Sequence, residues 1–110
     1  MSLRNDRYSY RVNWSEDDRE YAGLCAEFPS LSWMAESPEA ALQGIRKLVK
    51  EVVDDLERSG DAPPTPISSR NFSGKFIVRV PPEVHRQLAL QAAEQRVSLN
   101  RLVSSRLSGQ

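Results

Sequence analysis

The sequence has one cysteine, Cys25, and one histidine, His85, in 110 residues. A single thiol forms no internal disulfide, and one residue of each type leaves no Cys/His cluster of the kind that holds zinc or an iron–sulfur group. Any catalytic triad would rest on His85 alone. No apolar run approaches the ~20 residues of a membrane span, and the N-terminus lacks the basic-then-apolar pattern of a signal peptide. The expectation is a cytoplasmic chain with no membrane partner, cofactor or metal. Net charge is also missing, because fifteen Lys and Arg meet fifteen Asp and Glu. A chain of this length holds one ordinary domain or two very small ones, which excludes a large multi-site enzyme.

The zero charge is an average over unlike halves. Residues 1–58 carry 8 Lys/Arg against 12 Asp/Glu, whereas residues 70–110 carry 7 against 2. An acidic front joined to a basic tail favours a polyanionic partner at the tail and something else at the front. Between them, residues 59–73 include Pro63, Pro64 and Pro66 and read as a linker. Its prolines are expected to hold it extended, spacing two modules apart.

In the front module, residues 1–58, Tyr8-Ser-Tyr-Arg-Val-Asn-Trp14 alternates strictly and reads as a half-buried strand. Ser15-Glu-Asp-Asp18 is a polar turn. Glu20 to Phe28 suits a second strand, with Ala22, Leu24, Ala26 and Phe28 assigned to one side, and Leu31–Ala35 a short third. Ser37-Pro-Glu then starts a helix: Ser37 can accept from an orphan amide, Pro38 needs no donor, and Glu39 complements the dipole. Leu42, Ile45, Val49, Val52, Val53 and Leu56 recur at helical spacing up to a stop at Gly60. The fold class is α+β, with a β-β-β-α front. The carboxylates Glu16, Asp17, Asp18 and Glu20 fall at a hairpin tip and read as solvated, Cys25 reads as an inert buried thiol, and Trp33 and Met34 as core or protein interface.

In the rear module, residues 74–110, Lys75-Phe-Ile-Val-Arg-Val80 is a short strand-like run ended by Pro81 and Pro82. Phe76, Val78 and Val80 share one face, and Lys75, Ile77 and Arg79 the other. A helix over Glu83–Gln95 carries Val84, Leu88 and Ala92. Ser98 caps a second helix bearing Leu99, Leu102, Val103 and Leu107. One strand and two helices bury too little to stand alone, and a lone strand exposes its backbone donors and acceptors. A two-fold homodimer answers both needs: the strands pair antiparallel, and Phe76, Val78, Val80, Val84, Leu88, Leu99, Leu102 and Val103 form a shared core. The outer face is then a twisted ribbon of Lys75, Ile77 and Arg79, sized for a DNA major groove. The start of the second helix, with Ser98, Asn100 and Arg101, is a candidate phosphate clamp.

The run from Gly74 to Leu88 with Val97-Ser-Leu-Asn-Arg-Leu-Val103 resembles the ribbon-helix-helix DNA-binding module. The whole chain from Tyr8 to Leu107 resembles the HicB family of type II antitoxins; Glu20–Leu31 and Ser37–Leu42 match the front half. The resemblance implies a partial RNase H-like front domain that covers a HicA-type toxin, a small ribonuclease, and a rear module that binds the operator and represses its own operon. It implies no nuclease activity, because the front module lacks the carboxylates on strands and helix that a two-metal enzyme needs. The sequence departs from many family members at Leu31-Ser-Trp-Met34, where they carry a Gly-Cys and a small polar turn, so the toxin-binding surface stays open. Two other readings stand beside this one. One is a stand-alone ribbon-helix-helix regulator whose front senses a small molecule or oligomerises; the other is a minor enzyme using Cys25 or the acidic turn.

Overall fold

The computed structural model describes residues 3–109, so the domain limits expected at Met1 and Gln110 lie outside the described residues. The chain divides into two units, the first running through Phe72 and the second starting at Ser73.

In the first unit a 3-10 turn, Leu3–Arg7, precedes β1 (Tyr10–Ser15), β2 (Glu20–Cys25), β3 (Ser32–Ala35) and helix α1 (Pro38–Arg58). The sheet is antiparallel in the order β1-β2-β3, and α1 touches all three strands. This is the expected β-β-β-α start of an α+β chain. The Ser15–Glu20 connection closes with the Arg19 N–H on Ser15 O at 2.8 Å and Arg19 at φ +53°.

Register decides which residues meet the helix. Tyr10 opposes Cys25, Val12 opposes Gly23 and Trp14 opposes Tyr21. Directly opposed residues share a face. The β1 face expected from alternation is therefore matched by Tyr21, Gly23 and Cys25 of β2, not by Ala22, Leu24, Ala26 and Phe28. The reason is steric: a Cβ on Gly23 would lie 2.4 Å from Ala41 O and 2.9 Å from Ile45 Cγ2. Helix backbone rides directly over the central strand, and only a residue without a side chain fits beneath it. Phe28 still reaches the core because β2 stops at Cys25 and the Phe28 N–H turns back onto Cys25 O at 3.2 Å, which breaks the alternation.

Helix α1 begins as its sequence predicts. Ser37 Oγ accepts from the Ala40 N–H at 3.1 Å with Pro38 in the first turn. Ile45, Val49 and Val53 are fully buried and pack with Tyr8, Cys25 and Phe28. The Tyr8 and Phe28 rings meet edge to face at 5.3 Å. Each such side chain contributes about 1.5–3 kcal/mol. Gly44 would weaken an isolated helix, yet a Cβ there would fall 2.0 Å from the Trp33 indole, which fills that space. The helix is capped at Ser59 and the chain turns away at Gly60 (φ +82°), with the Asp61 N–H on Leu56 O at 2.9 Å.

The segment 59–73, expected as a spacer, is in large part fastened to the first unit. Tyr8 Oη donates to Pro64 O at 2.7 Å, the Ile67 N–H to Glu27 Oε2 at 2.8 Å, and Ser68 Oγ to Arg7 O at 2.7 Å. Pro66 is buried, and Ile67–Ser69 form a 3-10 turn. Three prolines leave the segment little freedom to lose on docking, so a handful of bonds is enough to hold it.

The second unit contains α2 (Pro82–Gln95) and α3 (Leu99–Leu107), packed through buried Ala92 and Leu102. Arg96 ends α2 in the left-handed region at φ +59°, and the Val97 N–H reaches Ala92 O at 3.0 Å. That position ordinarily favours glycine. Arg96→Gly is therefore expected to stabilise the α2–α3 pair by about 0.5–1 kcal/mol, visible as a later second-unit transition in thermal unfolding of the full chain. The strand expected at Lys75–Val80 is not assigned to any sheet among the described residues. A strand exists only with a partner, and the single chain's three-stranded sheet does not supply one to this segment.

Candidate nucleic-acid interface

Lys75, Ile77 and Arg79 are exposed, Ile77 to 90%. Their alternate neighbours are exposed as well, Phe76 to 73% and Val78 to 63%. Val80 and Val84 are likewise open, whereas Leu88, Leu99 and Val103 are half-buried and Leu102 is buried. One copy of the second unit thus covers the inner edge of the expected core and leaves its outer part bare. Leu90 and Leu107 add to the exposed apolar surface. For a unit of this size, so much open apolar surface marks an interaction site.

The three residues expected near phosphate are brought together at one helix end. Ser98 Oγ accepts from the Arg101 N–H at 3.0 Å, which caps α3 and spends the serine side chain on the helix itself. Asn100 and Arg101 are exposed there. Lys75, Ile77 and Arg79 lie within the same unit, ahead of the Pro81–Pro82 start of α2. Arg106 of α3 donates to Gln91 of α2, tying the two helices on their solvent side.

The HicB family model matches residues 61–107. This bears out the HicB resemblance over residues 61–107: the span takes in the docked proline segment, the run Lys75–Val80 and both helices of the second unit. The β-β-β-α sheet and its helix lie ahead of the matched span. Neither comparison, with curated proteins or with solved structures, gives a match. The HicB match is consistent with an antitoxin role in a toxin–antitoxin pair. No helix among the described residues is long and apolar enough to cross a membrane.

The residues considered for chemistry sit differently. Cys25 is 2% exposed, and burial pushes its thiol above the ordinary range. Glu16, Asp17 and Asp18 are exposed at the hairpin tip, where Glu16 accepts from the Trp14 indole at 2.7 Å. His85 is exposed on α2. The side chain that sequence reasoning missed is Glu27. Its carboxylate accepts from the Ser9 N–H (2.9 Å), Ser9 Oγ (3.3 Å), the Cys25 thiol (3.5 Å) and the Ile67 N–H (2.8 Å). Burial works against the charge, but the Ile67 and Ser9 amides outweigh it and hold the carboxyl below its usual range. Nothing local in the sequence signals this, because Ile67 is forty residues away.

Proposed function

We propose that the protein is the antitoxin of a type II toxin–antitoxin pair, binding a HicA-type ribonuclease through its first unit and repressing its own operon through its second. It acts by binding, in the cytoplasm, and is not an enzyme. Two second units pair as a ribbon-helix-helix homodimer: the Lys75–Val80 segments of two copies form an antiparallel ribbon, with Phe76, Val78 and Val80 turned onto four helices. Lys75, Ile77 and Arg79 then line the face that enters the operator's major groove. The amides at the start of α3, with Asn100 and Arg101 beside them, take a phosphate. The first unit corresponds to the partial RNase H-like domain of the family.

The observation that carries this reading is the bare apolar row Phe76, Val78 and Val80 alternating with two cations, inside the span matched by the HicB family. The basic balance of residues 70–110 supports a polyanionic ligand for that unit. The acidic balance of residues 1–58 suits a basic protein partner for the first.

Operator binding tests the ribbon directly. Arg79→Ala is expected to cost about 1–3 kcal/mol of operator affinity if the guanidinium reads a base, and to flatten the salt dependence by about one unit of slope if it meets a phosphate. DNA affinity unchanged in both respects would remove the ribbon assignment. A small open reading frame for a basic, histidine-containing protein directly beside the gene, whose product copurifies with this chain and adds its mass to the complex, is the result expected of the toxin partner.

A further inference from the structure

Three side chain–backbone hydrogen bonds and one buried proline fix residues 62–70 to the first unit. The Tyr8, Glu27 and Arg7 partners come from just ahead of β1, just after β2 and the opening 3-10 turn. Within the segment, the Arg70 Nε–H closes on Thr65 O at 2.9 Å and the Ser69 N–H on Pro66 O at 3.0 Å, so it docks as a preformed piece. After Arg70 the chain is exposed through Val80. The Glu27 side chain bonds both the sheet, through the Cys25 thiol of β2, and the segment, through Ile67.

We propose that residues 62–70 are a releasable strap and that Glu27 is its catch, so the latch sets the length of the tether between the two units. Release adds roughly nine residues, 62–70, to the free chain ahead of the second unit, which starts at Ser73. A strap held by so few bonds opens more readily than the α1 core, and any ligand that prefers the undocked lip of β1 and β2 draws it open. The latch is independent of the antitoxin reading, since it needs only the two units and the bonds between strap and sheet.

Amide exchange and 15N relaxation on the full chain test this. In the wild type, residues 62–70 are expected to be as ordered as α1, with mobility starting at 71. Glu27→Gln keeps the shape but turns an amide NH2 toward one of the two backbone donors, and Ile67→Pro deletes the strap's donor outright. Pro66 already has φ −55° and ψ 137°, the conformation a following proline requires. Both variants are expected to raise exchange at Ser68–Arg70 at least tenfold, leave the Val49 amide protected, and make the second unit tumble more independently of the first. The proposal is overturned if residues 62–70 are already mobile in the wild type, or if either variant leaves the strap ordered. It is equally overturned if Val49 loses protection together with the strap in both variants, since the segment would then be an ordinary part of the core.

Discussion

Val78→Asp is expected to turn a micromolar dimer into a monomer while the first unit keeps its own unfolding transition. Val78 lies at the middle of the Lys75–Val80 run, and 63% of it is open in one copy. The proposed pairing of two second units would cover it. A two-fold ribbon brings the two copies of this position close together, so the substitution would bury two carboxylates near one another in an apolar layer. An unpaired buried charge costs several kcal/mol, and like charges add to it. The second unit has little to set against that, because its own buried core is Ala92 and Leu102. Sedimentation or light scattering gives the mass, and circular dichroism follows the first unit. Lys75→Ala, on the outer face, is expected to leave the dimer intact. A wild type that is monomeric at micromolar concentration, or a Val78→Asp chain that stays dimeric, would refute the pairing.

Gly23→Ala has the largest expected effect in the first unit. Its new methyl would stand 2.4 Å from Ala41 O, a backbone atom that no rotamer change can move, and 2.9 Å from Ile45 Cγ2. To admit it, α1 must lift off β2 and loosen Ile45, Val49 and Val53. Overpacking commonly costs about 1–3 kcal/mol, and a clash with backbone belongs at or beyond the upper end. A unit of this size has little more than that in reserve. Chemical denaturation of the full chain is expected to show the first transition moved sharply to lower denaturant, or lost. Gly44→Ala provides the contrast. Its methyl meets the Trp33 side chain, which is 43% exposed and can swing outward, so the loss is expected to be smaller. If the order of the two variants were reversed, backbone proximity would not be what fixes Gly23.

These two positions also mark where sequence reading succeeds and where it stops. The helices were legible because their signals are local: Ser37 and Ser98 cap the helices they were expected to cap, and Gly60 stops α1. The β1 face was legible from alternation. The β2 face was not, since glycine carries no hydropathy signal and Gly23 lies directly against the helix backbone. The strap was illegible for a different reason: proline-rich composition describes the free chain, whereas the outcome depended on Glu27 and Tyr8, far away in sequence. For the candidate interface, the alternation of Lys75, Ile77 and Arg79 with Phe76, Val78 and Val80 stands out in the sequence, and the exposure of all six is consistent with a row awaiting a partner. A strand completed by another molecule is written in the pattern but not in the contacts of one chain.

The lone sulfur has a practical bearing. Cys25 is shut away beneath α1 and its proton is held tightly, so a thiol-directed reagent in solution meets it only during the brief intervals when sheet and helix part. The rate at which that thiol is modified therefore times the breathing of sheet and helix in the first unit.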